Sequence, residues 1–365
     1  MIRAIDALVA GPHTREAVDA FLAAHSFPLV EGSSITIVWR GEAEAIHLKH
    51  WVFGLPASQT LARLDGTDLW YLTLELPAGS RVEYKLEVVR GGRGEWIEDP
   101  LNPNRARDPF GANSVAHGTG YTVPEWISPD PEARPGTLDE IRFDSQVFGR
   151  RGVAIYLPAR YRRTRRYPLL VVHDGHDYLR YASLGTILDN LIHRREIPDL
   201  IVALVSSPNR LGEYANDERH ARFLTDELVP NLERTLPLDA RPQSRCLMGA
   251  SFGAVASLTV ALQRPGFYGR LLLQSGSFAF TDIGAHNHRG PLFDPIAMSE
   301  RVFMSCGMYE SLIYENRSLA PVFTATGMEV RYVEARDGHN WENWRDRLRD
   351  GLSWLFPGPL LLVYE

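Results

Sequence analysis

One serine stands in a pattern that makes a hydroxyl group reactive. Residues 249–253 read Gly-Ala-Ser-Phe-Gly, so that a glycine lies two positions to either side of Ser251. The apolar run 246–248 precedes this motif, and a helical pattern over 254–262 follows it. A strand, a sharp turn and a helix in this order push a serine hydroxyl clear of a sheet, with glycines where side chains would clash. The pattern predicts Ser251 as a nucleophile.

A serine hydroxyl is a weak nucleophile and needs a general base. His339 lies in Asp-Gly-His-Asn-Trp, directly after the last predicted core strand, where the histidine of such a triad is expected. The chain has 12 histidines, and we choose the general base among them by position in the sequence. His220 falls on a predicted helix, where a solvent-facing position is expected. His286 and His288 fall in a loop between two predicted strands, where they could line a pocket.

The third member of the triad should be a carboxylate between the serine and the histidine in chain order. Glu310 follows a predicted strand at 302–307 and is our prediction, because a carboxylate there holds the imidazole tautomer and stabilises imidazolium. Glu315 is the alternative, for which a solvated helix face near Arg317 is expected.

Acyl transfer also needs donors for the oxyanion of the tetrahedral intermediate. One predicted donor is the backbone N–H of Phe252, the residue after the nucleophile. The second should come from the loop at 173–178, which follows another predicted strand. Gly175 permits close backbone approach there, so we predict the backbone N–H of His176 as the second donor.

The elements around these residues differ between the two halves of the chain. Residues 1–120 contain a short helical pattern and then short alternating strands with turn signals between them, which predicts an antiparallel, immunoglobulin-like β-sandwich. Residues 121–138 are rich in proline and predict a linker. Residues 139–365 begin with a predicted hairpin and continue as buried runs alternating with helical stretches. This second pattern predicts an α/β fold, a mostly parallel sheet with helices on both faces.

Composition narrows the classes of partner and cofactor. The net charge of −6 and the lack of a long Lys/Arg run argue against nucleic acid as a partner. We see no signal peptide and no apolar run of about 18 residues, so we expect neither export nor a membrane span, and a cytoplasmic location. Cys246 and Cys306 lie in apolar runs and should be core thiols. We expect no metal and no cofactor, a small-molecule ester as substrate, and leave the oligomeric state open.

The hydrolase half resembles the putative-esterase group of the α/β-hydrolase superfamily, which includes feruloyl and enterochelin esterases. The resemblance is carried by HDGHDY, MGASFGA, LLLQSGSF, SCGMYE and DGHNWENWRDRL. The whole chain is most similar to enterochelin (ferric enterobactin) esterases, on FPLVEGSSITIVWRG, RLDGTDLWYLTLELPAGSRVEYKL and EDPLNPNRARDPFGANSV. This resemblance implies a β-sandwich before the hydrolase domain. It also implies hydrolysis of the trilactone of a ferric catecholate siderophore, with release of iron.

Such a substrate is anionic and aromatic, so its pocket should offer cations and flat rings. The family tends to carry an Arg followed by a Glu where this chain has Arg210 and Glu213, and the alternative is that these two pair with each other. We predict Arg210, Trp341 and Tyr178 as substrate contacts. The alternative for Trp341, with Trp344, is a place in the hydrolase core.

One departure from the family lies in the predicted N-terminal helix. The sequence has Phe21-Leu22 where the family often has Phe-Trp, which puts in doubt any substrate contact by that helix.

Two other functions fit parts of the pattern. One is a general carboxylesterase acting on aryl or sugar esters, including feruloyl and acetyl esters. The other is a carbohydrate-binding sandwich with an inactive hydrolase half, in which four tryptophans would be stacking platforms. Trp39 and Trp70 lie in alternating strands and should be core residues. The other two are Trp51 and Trp96.

Overall fold

The computed structural model describes residues 2–280 and 297–359. The chain divides into two units by its internal contacts. The N-terminal unit consists of Met1–Val123, Gly307–Ser311 and Ala335–Asn340, and the C-terminal unit consists of Pro124–Cys306, Leu312–Glu334 and Trp341–Glu365. Two short segments from the second half of the sequence thus belong to the N-terminal unit, which the sequence did not predict. The contiguous domains 1–120, 121–138 and 139–365 stay a prediction. His286 and His288 lie outside the described residues.

The N-terminal unit begins with two helices, α1 (Ala4–Ala10) and α2 (Arg15–Ala24). Thr14 caps α2 by accepting a hydrogen bond from the N–H of Ala17 at 3.2 Å. Ten strands follow. They are β1 (Leu29–Glu31), β2 (Ser34–Arg40), β3 (Ala45–His50), β4 (Ser58–Thr60), β5 (Ala62–Arg63), β6 (Leu69–Glu75), β7 (Arg81–Arg90), β8 (Arg93–Ile97), β9 (Arg105–Asp108) and β10 (Gly111–His117).

These strands form two antiparallel sheets that share a core. One sheet has the order β1-β2-β6-β5, and the other has the order β4-β3-β7-β10-β9 with β8 on β7. Ile37 from the first sheet and Leu86 from the second belong to one buried cluster, together with Trp39 and Trp70. These two tryptophans are core residues, as expected. Trp51 is exposed, as is Trp96.

The C-terminal unit is built on an eight-stranded sheet in the order β11-β12-β14-β13-β15-β16-β17-β18. The first two strands form the predicted hairpin, and β14, β13, β15, β16 and β17 run parallel. The strands are β11 (Thr137–Ser145), β12 (Gly149–Leu157), β13 (Leu169–His173), β14 (Ile201–Val205), β15 (Arg245–Ala250), β16 (Arg270–Gln274), β17 (Arg301–Gly307) and β18 (Glu329–Ala335).

Helices cover both faces of this sheet. Val171 of β13 packs into one buried cluster and its neighbour Val172 into another, because successive side chains of a strand point to opposite faces. The helices are α3 (Gly175–Tyr181), α4 (Leu184–His193), α5 (Arg210–Tyr214), α6 (Glu218–Arg222), α7 (Val229–Thr235), α8 (Phe252–Gln263), α9 (Ile313–Ala325) and α10 (Trp341–Leu355), with a π-helical turn at Phe223–Leu228. In the part of the chain that the structure describes, no helix is long and apolar enough to cross a membrane.

Candidate active site

Ser251 occupies a strained turn between β15 and α8. Its φ of 55° and ψ of −118° lie in a region that non-glycine residues rarely adopt. Its backbone N–H donates to the carbonyl of Gln274 at 2.9 Å, which ties the turn to the neighbouring strand β16. Strand, strained serine and helix follow one another as in the nucleophile elbow of α/β-hydrolases.

The two glycines of the motif stand where α8 packs closely against its neighbours. A Cβ atom on Gly249 would lie 2.2 Å from the carbonyl carbon of Gly253. A Cβ atom on Gly253 would lie 3.2 Å from the Cβ of His173 and 3.1 Å from a carboxylate oxygen of Asp174. The spacing of glycine, serine and glycine therefore follows from the close approach of the two elements.

Two buried histidines support the elbow. His173 Nε2 lies 2.9 Å from His220 Nε2, and His173 Nδ1 lies 2.9 Å from the hydroxyl of Ser257 on α8. Burial lowers the pKa of both imidazoles, that of His220 to about 3. The prediction of a solvent-facing His220 is wrong: it is 4% exposed, because α6 turns this side chain toward His173. Both rings are neutral at neutral pH.

Arg210 sits beside the elbow and binds a carboxylate. Its Nε lies 3.0 and 2.9 Å from the two oxygens of Asp174, and its guanidinium lies 5.7 Å from the ring centre of Phe252. Its side chain stays 37% exposed. The alternative pairing of Arg210 with Glu213 is wrong, because Glu213 binds Arg151 at 2.6 Å. Arg210 therefore presents a partly exposed cation that Asp174 orients.

The predicted oxyanion donors both lie in the first turn of a helix. Phe252 opens α8 after β15, and His176 is the second residue of α3 after β13, the neighbouring parallel strand. First-turn N–H groups point beyond the helix end, where they can meet an anion. The His176 side chain lies 3.0 Å from Glu140 at the surface. Gly175 is required by packing, since a Cβ there would lie 2.4 Å from the Cβ of Leu204.

The predicted aromatic contacts separate into core and partly exposed rings. Tyr178 is fully buried, and its hydroxyl donates to the side-chain oxygen of Gln274 at 2.8 Å. Its place as a substrate contact is therefore corrected: α3 directs this ring into the core and leaves no surface for a ligand. Trp344 is also buried, with its indole N–H on Ser275 at 2.9 Å. Trp341 is half-buried and packs edge-on against Tyr178, with ring centres 5.2 Å apart.

The predicted acid and base form a hydrogen-bonded pair within the N-terminal unit. His339 Nδ1 lies 2.5 Å from Glu310 Oε2, and the other oxygen of Glu310 accepts the N–H of Gly307 at 2.7 Å. Glu310 is buried, whereas the His339 side chain is 36% exposed. Glu315, the alternative, lies on α9 and accepts the N–H of Ala279 at 3.2 Å. The structure thus pairs the imidazole with Glu310.

Comparison with known proteins supplies the family. A family model described as Putative esterase matches residues 145–355, more than half of the chain. The chain belongs to this family. It is a carboxylic ester hydrolase.

Curated relatives of this esterase match most of its length. The Iron(III) enterobactin esterase of Escherichia coli strain K12 is 24% identical over 80% of this chain and 81% of its own. That of Dickeya dadantii is 24% identical over 82% of this chain and 80% of its own. An endo-1,4-beta-xylanase/feruloyl esterase of Xylanibacter ruminicola is 24% identical over 81% of this chain and 41% of its own.

A solved structure shows the same fold. The enterochelin esterase of Shigella flexneri superposes on this esterase with a TM-score of 0.72 and 21% identity, over 90% of this chain and 94% of its own. The C-terminal unit accordingly has the α/β-hydrolase fold.

Two residues of the esterase that contact a predicted site residue or the turn around one were missed by the sequence reasoning. Asp174, which orients Arg210, stands in the HDGHDY motif already singled out, so its position was a usable signal. Arg81 binds Asp337, two residues before His339, at 3.1 Å. No sequence signal pointed to this contact, because its partners are 256 positions apart.

Proposed function

We propose that this esterase cleaves its substrate through a covalent acyl-serine on Ser251, with His339 as general base and Glu310 as its orienting carboxylate. The observation that carries this proposal is the 2.5 Å contact between His339 and Glu310. Serine, acid and base follow in the chain order of α/β-hydrolases. The strained backbone at Ser251 supports the nucleophile role, because such strain clusters at functional sites.

The contact with Glu310 fixes the tautomer of His339 with its proton on Nδ1, so Nε2 can accept the proton of the Ser251 hydroxyl. The serine oxygen then bonds to the ester carbonyl carbon, and the N–H groups of Phe252 and His176 stabilise the oxyanion. As the ester C–O bond breaks, the imidazolium returns its proton to the leaving alcohol. Water, deprotonated by the same imidazole, then attacks the acyl-serine. The bond between the acyl carbon and the serine oxygen breaks, the imidazolium returns the proton to Ser251, and the acid is released.

For the substrate, we propose the trilactone of a ferric catecholate siderophore, with iron as cargo released after hydrolysis. Relatives named Iron(III) enterobactin esterase match about four-fifths of the chain, and one solved neighbour was crystallised in the presence of enterobactin. The partly exposed guanidinium of Arg210 supports an anionic ligand, and half-buried Trp341 offers an aromatic surface.

We also propose that residues 1–120 form the immunoglobulin-like sandwich implied by the family. The core shared by the two N-terminal sheets supports this.

A second candidate substrate is an aryl or sugar ester. The feruloyl esterase relative matches 81% of this chain, and a ferulic acid esterase structure from Anaeromyces mucronatus superposes with a TM-score of 0.54. These matches support the same chemistry on feruloyl esters.

A hydrolysis panel separates these candidates. We would measure kcat/KM for ferric enterobactin, its linear trimer, methyl ferulate and p-nitrophenyl acetate, with Ser251→Ala as the blank. We expect ferric enterobactin to exceed methyl ferulate by roughly 100-fold, because discrimination between esters reflects differential transition-state binding. The reverse ranking would contradict the siderophore proposal and favour the aryl ester. Equal activity in wild type and Ser251→Ala would overturn the catalytic proposal itself.

A further inference from the structure

The first residue of β7 is a charged side chain that the fold buries almost completely. The Arg81 side chain is 1% exposed. One guanidinium nitrogen, Nη1, lies 3.1 Å from Asp337 and 3.0 Å from the side-chain oxygen of Asn340, and Nη2 lies 2.9 Å from Glu83. A buried guanidinium is tolerated only when it is paired in this way.

Two of these partners flank His339 in a single turn of the chain. Asp337 Oδ1 accepts the N–H of Gly338 at 2.7 Å and the side-chain N–H of Asn340 at 2.8 Å. This carboxylate thereby closes the four-residue segment that carries the imidazole. Arg81 binds both ends of the segment at once, which fixes its position as well as its shape.

The backbone before this turn is attached to the same strand. The N–H of Arg81 donates to the carbonyl of Arg336 at 2.9 Å, and Nη1 of Arg336 donates to the carbonyl of Ala78 at 2.6 Å. The chain leading to His339 is therefore bonded to Arg81, the first residue of β7, and to Ala78 in the loop before that strand.

The loop with the carboxylate is attached to the same region. Tyr309, which precedes Glu310, has its hydroxyl 2.5 Å from that of Ser80. Its carbonyl accepts the N–H of Phe53 at 2.8 Å, and its own N–H donates to the carbonyl of Asp337 at 3.0 Å. Both halves of the acid–base pair are thus anchored to strands and loops of the first 123 residues.

We propose that Arg81 is a positioning residue for ester hydrolysis: its bonds to Asp337 and Asn340 hold His339 at the place where it serves the nucleophile. This inference rests on the proposed role of His339 as general base. Without the guanidinium, the buried Asp337 and the partly buried Glu83 would lose the cation that binds both, and the turn would lose its side-chain bonds to β7. A misplacement of about 1 Å in a catalytic group can lower the rate about 100-fold.

A purely structural role for Arg81 predicts something different. In that case its loss would lower the melting temperature while the folded fraction kept its turnover number. Arg40 of β2 is a matched control, because it forms ion pairs with Asp19 and Asp68 at 2.5 and 3.1 Å inside the same unit. Asp19 and Asp68 are far in sequence from the loops that carry Glu310 and His339. Loss of the Arg40 side chain should therefore affect stability alone.

The experiment compares Arg81→Met, Arg81→Lys and Arg40→Met with wild type, in full-length protein, with p-nitrophenyl acetate at pH 8 and well below each melting temperature. We expect Arg81→Met to lower kcat roughly 10- to 100-fold with KM within about twofold. Arg81→Lys should recover part of this loss, since lysine keeps the charge and loses the planar fork. Arg40→Met should keep kcat within about twofold of wild type.

A spectroscopic measurement accompanies the kinetics. The proton on His339 Nδ1 should give a low-field resonance in wild type, assigned by its loss in His339→Ala. We expect this resonance to shift or broaden in Arg81→Met and to stay unchanged in Arg40→Met.

Folded Arg81→Met with the kcat and the resonance of wild type would overturn the proposal, as would an equal loss of kcat in Arg40→Met. If Arg81→Met does not fold, Arg81→Lys and Asn340→Ala decide, and wild-type kcat in both overturns it. Ser251→Ala and His339→Ala belong in the same assay. Should those two keep their activity, the proposed function fails. Should they lose it while Arg81→Met does not, only the positioning role fails.

Discussion

The nucleophile and the acid–base pair are held by different means. The elbow at Ser251 is shaped by backbone, since Gly249 lies so close to the backbone of Gly253 that a side chain at position 249 has no room. Glu310 and His339 lie instead on loops that are anchored by backbone hydrogen bonds and by buried side chains, among them the charged side chain of Arg81. The elbow is formed by a strand and a helix that are adjacent in the sequence. The loops of Glu310 and His339 are held by residues that lie more than 200 positions earlier in the chain.

This difference separates two kinds of sensitivity. A backbone arrangement fails when atoms are added, because there is no space to receive them. A side-chain arrangement fails when charges are removed, because the partner charges stay buried and unpaired. Removal of a buried charge that anchors the loops of Glu310 and His339 is therefore expected to change their position as well as the stability of the fold.

The largest expected effect tests the nucleophile. Ser251→Ala should lower kcat by roughly 10⁴- to 10⁶-fold, since triad members act as a unit and the residual rate comes from binding and the oxyanion donors. Hydrolysis of p-nitrophenyl acetate and labelling by a fluorophosphonate probe measure this loss. Ser318→Ala is the control, because that hydroxyl is exposed and bonds only locally to the carbonyl of Tyr314. Labelling that persists in Ser251→Ala would place the nucleophile elsewhere.

The next effect tests the acid. Glu310→Gln should lower kcat roughly 10²- to 10⁴-fold, because an amide cannot stabilise imidazolium and favours the wrong tautomer. Glu315→Gln should leave kcat within about twofold, since Glu315 bonds a backbone N–H outside the acid–base pair. Steady-state kinetics on both variants checks this. A larger loss in Glu315→Gln than in Glu310→Gln would show that the wrong carboxylate was chosen.

A third change tests the backbone fit of the elbow. Gly249→Ala should lower the free energy of unfolding by about 1–3 kcal/mol or more, because the new methyl group would meet the backbone of Gly253 at 2.2 Å. Gly152→Ala on β12 is the matched control, since a Cβ there has no neighbour within 4 Å. Urea unfolding of both variants measures the difference. Equal stability of the two would mean that the elbow relaxes without cost.

The smallest effect concerns pH. The pKa of His220 is about 3 in the folded state and near 6.5 in the unfolded chain, so the unfolded state binds more protons between these values. Its contribution to stability is complete above pH 6.5 and falls, by at most about 1.4 kcal/mol per pH unit, as the pH drops. Urea unfolding at pH 7 and pH 5 should therefore show a smaller loss in His220→Gln than in wild type. An identical loss would contradict a buried neutral imidazole.

Much of the fold and the core of the site could be predicted, because their signals are local. The alternation at residues 81–88 indicated β7, and the motif around Ser251 indicated an elbow that the structure forms. The burial of His220 was missed because α6 has only five residues, too few for periodicity to show which side faces inward. Tyr178 was misjudged because its proximity in sequence to the His176 loop says nothing about which way a short helix points its rings.

The division of the chain has a consequence for modularity. Segments Gly307–Ser311 and Ala335–Asn340 are encoded after the hydrolase elbow, yet they associate with the first 123 residues. A hydrolase fragment that starts at Pro124 would carry every proposed catalytic side chain and lack the scaffold for two of them. An exchange of the two halves between homologues would thus require that the segments Gly307–Ser311 and Ala335–Asn340 be transferred together with the N-terminal strands that they contact.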